Sequence, residues 1–170
     1  KVWIEHYGYE QTKASVYESM QKLKVNYIDL VLLHQPFADY YGAWRALEDM
    51  YADGKIRAIG ISNFYPDRMV DLASFSRIKP MVNQVETHPF NQQIEAQEWM
   101  KKYGVQIEAW APFGEGRGGL FTNETIAKIA AKHNKTVAQV ILRWELQRGI
   151  VVIPKSVHIE RMEQNLDVFD

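Results

Sequence analysis

Polar or aromatic side chains stand at the ends of five apolar runs of the sequence. The first run ends in His34, within DLVLLHQP at residues 29–36. A histidine there either caps a strand through a backbone hydrogen bond or faces a pocket at the C-terminal edge of a parallel sheet, where such folds place their chemistry. The other runs end in Ser62-Asn63, Asn83-Gln84 with Glu86, Trp110-Ala111-Pro112 and Lys155-Ser156. Strand capping explains one such residue but not five, so the pattern favours a site.

These residue types suit a ligand that has an amide at one end and phosphates at the other. Serine, asparagine and glutamine side chains both donate and accept hydrogen bonds, as a carboxamide requires, and Trp110 offers a flat face to an aromatic ring. The glycine-rich residues 114–119 let backbone N–H groups approach a phosphate. Lys155 and Arg161 add positive charge at the start of a helix. Together they predict a nicotinamide dinucleotide, although singly Asn63 also suits a turn, Trp110 the core and Lys155 a solvated cap.

Alternating helices and strands must position these side chains. Unbroken apolar runs predict strands over residues 29–34, 57–64, 80–86, 105–112 and 150–155. Apolar residues at helical spacing predict helices over residues 11–23, 42–51 and 66–72 and over 156–166. Three further helices are expected after the N-caps Asn91, Thr122 and Thr136, with ends at Gly104, near Asn134 and at Gly149.

Helix and strand units of about 25 residues with continuous apolar strands predict a parallel sheet with helices packed outside it. The predicted fold class is α/β, a (β/α)8 TIM barrel, with residues 1–170 as a single domain. A closed barrel takes roughly 250 residues. We therefore expect an incomplete barrel of about five to six strands, which includes a strand fragment at Lys1–Ile4 and lacks the strands before it. A doubly wound sheet is the alternative, but no G-x-G-x-x-G motif follows a strand.

Composition excludes several function classes. A formal net charge of -1 in 170 residues provides no electrostatic footprint for nucleic acid or for a membrane surface. The absence of cysteine excludes disulfides, thiolate catalysis and cysteine-ligated zinc. No apolar stretch reaches the roughly 20 residues that cross a bilayer, and no signal-peptide pattern opens the chain. These observations predict a cytoplasmic protein.

Five segments resemble the aldo-keto reductase family in their order and spacing, over essentially all of the chain: LLHQP, GKIRAIGISNF, NQVETHPF, AWAPFGEG and IPKSVHIERMEQN. The stretch DYYGAWRALEDMYADGKIRAIGISNF resembles bacterial members that reduce small dicarbonyls or sugar-derived ketones such as 2,5-diketo-gluconate. The resemblance implies an oxidoreductase in which NADP(H) lies across the C-terminal mouth of the barrel. Hydride passes from the nicotinamide to an aldehyde or ketone, and a tyrosine tuned by a lysine and an aspartate supplies the proton.

The resemblance also implies roles for individual residues. His34 orients the carbonyl, Lys1 is the catalytic lysine, and Trp3 lies in the substrate pocket. A neutral His34 would donate an N–H to the carbonyl oxygen as hydride arrives. No metal is implied. The expected cofactor contacts are Ser62, Asn63, Gln84, Trp110, Ala111, Phe113, Gly114, Lys155, Ser156, Val157, Arg161, Gln164 and Asn165, of which Lys155, Ser156 and Arg161 meet the adenosine 2′-phosphate.

Three departures from the family pattern bear on activity. The catalytic aspartate and tyrosine fall upstream of Lys1, and the family's C-terminal tail is also absent, so we expect an active parent protein and an inactive isolated chain. Asp39, Tyr40 and Tyr41 are interpreted as substrate-loop residues. Ala111 stands where a serine is usual, so a phosphate contact must come from the backbone. Gln164 replaces a glutamate that latches the cofactor.

Two other classes of function stay open. A barrel metallohydrolase would use His34, Glu86 and His88 as ligands, since these residue types bind zinc, although the H-x-H clustering of such barrels is missing. A non-catalytic module would bind a cofactor or a partner protein. For the reductase we expect a small carbonyl substrate and a monomeric complete protein, whereas the isolated chain should self-associate through its exposed sheet edge.

Overall fold

The computed structural model describes residues 1–170 as five β-strands, seven α-helices and short 3₁₀ turns. The strands are β1 (Ile28–Leu33), β2 (Ile56–Ser62), β3 (Val82–Glu86), β4 (Gln106–Trp110) and β5 (Val151–Val152). The helices are α1 (Tyr9–Leu23), α2 (Tyr40–Ala52), α3 (Pro66–Phe75), α4 (Ile94–Tyr103), α5 (Glu124–His133), α6 (Val137–Gln147) and α7 (Ile159–Leu166). No helix combines the length and the apolar character needed to cross a lipid bilayer.

The strands form one sheet in the order β1-β2-β3-β4-β5, with parallel pairing. Parallel sheets are buried on both faces, which explains why β1 reads IDLVLL and buries Val31, Leu32 and Leu33. Val2 forms a parallel bridge to Leu33, so the predicted strand fragment at the start of the chain pairs beside β1. The strand count expected from the sequence is confirmed.

The chain divides into two compact units. Unit 1 comprises residues 1–84 and 95–106, and unit 2 comprises residues 85–94 and 107–170. The core of unit 1 is built from large side chains of β1, β2 and helices α2–α4: Leu33, Trp44, Leu47, Met50, Ile56, Ile59, Ile61, Phe64, Met69, Leu72 and Met100. In unit 2 a smaller core of Leu120, Ile126 and Ile141 is flanked by Phe113, Val137 and Val140. That residues 1–170 form a single domain stays a prediction.

Two helix starts differ from the sequence prediction. Helix α5 is capped by Asn123, whose Oδ1 accepts from the N–H of Ile126, whereas Thr122 lies in the preceding 3₁₀ turn. Helix α4 begins at Ile94, and Asn91 instead pairs with His88 in an antiparallel bridge. Asn91 is not a cap because its side chain donates to the Glu86 carbonyl, a contact outside the helix.

The last strand is also shorter than predicted. β5 ends at Val152 instead of continuing to Lys155. Pro154 has no backbone N–H and cannot extend the ladder of a strand. Residues 153–158 therefore form a loop that leads into α7.

Candidate active site

The C-terminal ends of β1, β2 and β3 bring five predicted site residues together in unit 1. His34 comes directly after β1, and Gln84 lies in β3. Ser62 is the last residue of β2, and Asn63 comes directly after it. Lys1 joins them because the N-terminal segment pairs beside β1, and its Nζ donates to Gln84 Oε1 at 2.7 Å. Residues separated by 83 positions in the sequence are thus neighbours.

Asn63 links the three strand ends. Its Nδ2 donates to the His34 carbonyl at 3.0 Å and to Ser62 Oγ at 3.3 Å. Its backbone N–H donates to the Gln84 carbonyl at 2.9 Å, and the Oγ of the fully buried Ser62 donates to the same carbonyl at 2.9 Å. Asn63 adopts a φ of 62°, so it is also the turn residue that the sequence allowed.

The electrostatics around His34 favour a neutral imidazole. Burial lowers the pKa of His34, and the positive charge of Lys1 lowers this pKa further. Trp3 packs edge-on against the ring, with centroids 4.8 Å apart and an interplanar angle of 80°. A neutral imidazole carries one N–H and can donate a single hydrogen bond to a carbonyl oxygen.

A cavity of 640 Å³ in unit 2 gathers seven of the predicted cofactor contacts. Two cationic side chains, Lys155 and Arg161, lie on its wall, which suits an anionic group. The other predicted residues on the lining are Phe113, Ser156, Val157, Gln164 and Asn165.

Sequence reasoning missed five residues that line the same cavity. The start of α6 contributes Thr136, Val137 and Ala138, and Phe121 and His158 complete the wall. The ring of Phe121 lies 5.6 Å from that of Phe113. The capping box formed by Thr136 and Gln139 is a recognisable sequence signal for a helix start, and a helix start is a common place for a phosphate.

The loop after β4 holds the remaining predicted contacts of unit 2. Trp110 ends β4 and is half-buried, so it is neither plain core nor free surface. Ala111 adopts a φ of 49° and its carbonyl accepts from the N–H of Gly114 at 2.8 Å. Gly114 itself has a φ of 56°, and a Cβ there would lie 3.0 Å from Leu120 Cδ1. The loop backbone is therefore tightly shaped at these positions.

Two interpretations from the sequence receive no support. Tyr40 and Tyr41 begin helix α2 and Asp39 is its N-cap, so they do not form a substrate loop. Asp39 is committed to the helix because its carboxylate accepts from the Gly42 N–H at 2.8 Å. His88 Nε2 lies 3.2 Å from Glu86 Oε1, but no group of three or more metal-ligating side chains is assembled anywhere in the structure.

Comparison with known proteins identifies the family to which this chain belongs. The sequence profile of the aldo/keto reductase family matches residues 1–170. A glyoxal reductase of Bacillus subtilis is 52% identical over 171 residues, which covers 100% of this chain and 61% of that protein. An aldo-keto reductase from a Medee basin deep-sea metagenome library superposes with a TM-score of 0.96 at 44% identity, covering 99% of this chain and 63% of that structure.

A Bombyx mori aldo-keto reductase solved in complex with NADP is similar too, with a TM-score of 0.94 at 34% identity over 99% of this chain and 61% of that structure. The chain belongs to the aldo/keto reductase family. The predicted α/β fold class with a parallel sheet and flanking helices is confirmed, and it is the fold of the family's (β/α)8 barrels. The chain spans 61% of the length of the glyoxal reductase that it matches.

Proposed function

We propose that the protein containing this chain reduces aldehydes or ketones to alcohols with NADPH. The observation that carries this proposal is the convergence of Lys1, His34, Asn63 and Gln84 at the C-terminal ends of parallel strands. Family membership supplies the reaction class, and the residue contacts explain how the reaction would be assisted.

The lowered pKa of His34 favours the neutral form that the proposed chemistry uses. As a neutral imidazole it would donate an N–H to the substrate carbonyl oxygen and stabilise the negative charge that develops there. When bound, NADPH supplies the hydride. Lys1 would lower the pKa of a neighbouring tyrosine hydroxyl, because a nearby positive charge favours the phenolate. That tyrosine and its aspartate partner are expected, by family resemblance, in the part of the protein upstream of Lys1.

The remaining predicted contacts would hold the dinucleotide. Asn63 and Gln84 side chains would bind the nicotinamide carboxamide, whose donors and acceptors they complement. The cavity in unit 2 would take the adenosine part, with Lys155 and Arg161 on the 2′-phosphate. Two cations at that position would favour NADPH over NADH. The two cations on the lining of the unit 2 cavity support this placement of the 2′-phosphate.

The proposed substrates are small dicarbonyls. The Bacillus subtilis relative is named a glyoxal reductase and shares 52% of its aligned residues with this chain. Trp3 stands against the ring of His34 and would limit the space beside the reacting carbonyl. We further propose that the protein acts in the cytoplasm, where NADPH is available, and that the complete protein is a monomer.

The test is NADPH oxidation by the full-length protein with glyoxal, methylglyoxal and a bulky ketone. We expect turnover of the small dicarbonyls and a fall in kcat/KM of roughly 10²–10³-fold for His34→Gln, because one donor to the developing oxyanion is lost. His133→Gln, at the exposed end of α5, is the matched control and should keep the activity. Tight NADPH binding without any carbonyl turnover would support the non-catalytic alternative.

A further inference from the structure

Helix α7 carries three of the predicted cofactor contacts but buries none of its own side chains. Arg161, Gln164 and Asn165 all lie on this helix, which spans only Ile159–Leu166. Isolated helices shorter than about 12 residues are marginal in water. A contact outside the helix must therefore hold α7 where its side chains line the cavity.

The segment that follows α7 makes such a contact. Residues Asp167–Asp170 are bound by three side chains, one from the connection between α5 and α6 and two from α6, and we call this arrangement the clasp. Lys135 Nζ lies 2.9 Å from Asp167 Oδ2 and 2.8 Å from Asp170 Oδ2. Arg143 donates to the Val168 carbonyl at 2.8 Å, and Val168 itself is 4% exposed. The clasp combines ion pairs, a backbone hydrogen bond and one buried apolar side chain.

Gln139 is the central side chain of the clasp because both ends of its amide are used. Its Nε2 donates to the Asp167 carbonyl at 2.8 Å and to Asp167 Oδ2 at 3.0 Å. Its Oε1 accepts from the Thr136 backbone N–H at 2.9 Å, which closes the capping box of α6. Gln139 is 5% exposed, so these hydrogen bonds face little competition from water.

The two elements that Gln139 connects are the two walls of the cavity. Thr136, Val137 and Ala138 line it from the start of α6, and Arg161, Gln164 and Asn165 line it from α7. We propose that the clasp is a positioning device, in which Gln139 and Lys135 hold the end of α7 to α6 and thereby set the distance between the cations and the 2′-phosphate. This inference rests on the proposed NADPH site, while neither residue touches the cofactor.

The test compares Gln139→Glu with Asn123→Ala in the full-length protein. Gln139→Glu keeps an oxygen for the capping box but replaces the donor to Asp167 by a second carboxylate. Asn123→Ala removes the cap of α5, which accepts from the Ile126 N–H, and leaves Gln139 and its bonds to Asp167 in place. Lys135→Met removes the ion pairs as an independent second variant.

We expect Gln139→Glu to raise the Kd of NADPH about tenfold, because hydrogen bonds of a buried side chain are lost. Lys135→Met should raise this Kd by a smaller factor, because its ion pairs with Asp167 and Asp170 are exposed to solvent. The Kd of NADH, which lacks the 2′-phosphate, should change about twofold or less, so the preference for NADPH falls. Hydrogen exchange at the α7 amides should accelerate in both variants. Asn123→Ala should lower the Tm but keep the NADPH preference, because Asn123 does not line the cavity.

Equal losses for NADPH and NADH in the two clasp variants, or an equal loss of NADPH preference in Asn123→Ala, would overturn the proposal. Failure of the proposed function would give a different result from failure of the clasp proposal, because the unsubstituted protein would then bind neither NADPH nor NADH. In that case the exchange rates of the α7 amides still decide whether the clasp holds the helix. Unchanged exchange in Gln139→Glu would refute it.

Discussion

At the scale of single residues, Asn63 shows how one side chain joins several strands. The position requires a φ of 62°, and the side chain also donates to the His34 carbonyl. Asparagine meets both needs, because it tolerates the left-handed region better than most residues and carries an amide donor. Backbone conformation and site geometry therefore depend on the same residue.

Substitution of Asn63 by glycine and by alanine separates these two contributions. Both variants lose the side-chain donor, and we expect both to weaken NADPH binding. Only Asn63→Ala keeps a Cβ at positive φ without a compensating hydrogen bond. Its free energy of unfolding should therefore be about 1 kcal/mol lower than that of Asn63→Gly. Urea titration measures the difference, and equal stabilities would show that the backbone relaxes at this position.

Glu145 is a second informative residue. Its side chain is fully buried, and neither of its carboxylate oxygens has a hydrogen-bond partner. Burial raises the pKa of Glu145 to about 7, against the opposing effect of the Arg148 charge. A folded-state pKa above the unfolded value means that the folded protein binds the proton more tightly. The stability gained by protonation is therefore complete below about pH 4.5 and is lost as the pH rises to about 7.

We expect the free energy of unfolding to fall by roughly 3 kcal/mol between these pH values through Glu145 alone. Glu145→Gln cannot ionise, so its stability should lack this component and should exceed that of the unsubstituted protein at pH 8. Glu163→Gln, on the exposed surface of α7, serves as the control. Parallel pH profiles for the unsubstituted protein and Glu145→Gln would contradict the assignment.

At the scale of elements, the loop after β4 connects the sheet to the cavity of unit 2. Gly114 and Gly116 both lie in its first 3₁₀ turn and both have a positive φ. They differ in their surroundings, since a Cβ at Gly114 would press on Leu120 whereas nothing lies within 4 Å of one at Gly116. Leu120 belongs to the small core of unit 2, so the loop packs against that core at Gly114.

Alanine substitutions at these two glycines measure how strongly the contact with Leu120 constrains the loop. Gly116→Ala introduces strain from positive φ alone and should cost about 1 kcal/mol. Gly114→Ala adds a close contact of 3.0 Å with Leu120 and should cost more. It should also raise the Kd of NADPH, because Phe113 beside it lines the cavity. Differential scanning calorimetry and cofactor titration provide both readouts, and identical effects at the two positions would argue against the contact.

At the scale of the whole molecule, the end of the chain exposes an apolar surface. Ile159 is 73% exposed, Leu166 72% and Phe169 71%, and Val157 and Met162 are exposed beside them. β5 is the last strand in the sheet order and offers unpaired backbone groups at an edge. Exposed apolar side chains and an unpaired sheet edge each promote association.

We therefore expect the isolated 170-residue chain to self-associate, as measured by analytical ultracentrifugation over a range of concentrations. Ile159→Lys together with Leu166→Lys should shift the distribution towards the monomer, whereas Lys132→Glu on α5 should not. A monodisperse monomer that melts cooperatively before any substitution would overturn this expectation.

The sequence by itself determined the fold class, the parallel strands and the family, because apolar periodicity, strand-end residues and helix caps are local signals. The N-cap at Thr136 and the helix that begins at residue 66 are examples that the structure bears out. The cap at Thr122 was wrong because the neighbouring Asn123 caps α5, and the cap at Asn91 was wrong because its side chain binds the Glu86 carbonyl outside the helix. Short-range patterns identify a helix more securely than they identify its first residue.

Only the tertiary structure decided which distant residues meet. Lys1 reaches Gln84 across 83 positions, and Gln139 reaches Asp167 across 28. Neither pair has a sequence signal, because such contacts depend on how the strands pair and how the helices pack rather than on local preference. The cavity of unit 2 is likewise assembled from the loop after β4, the start of α6 and helix α7. The sequence predicted cofactor contacts in some of these segments, but only the folded chain brings them together.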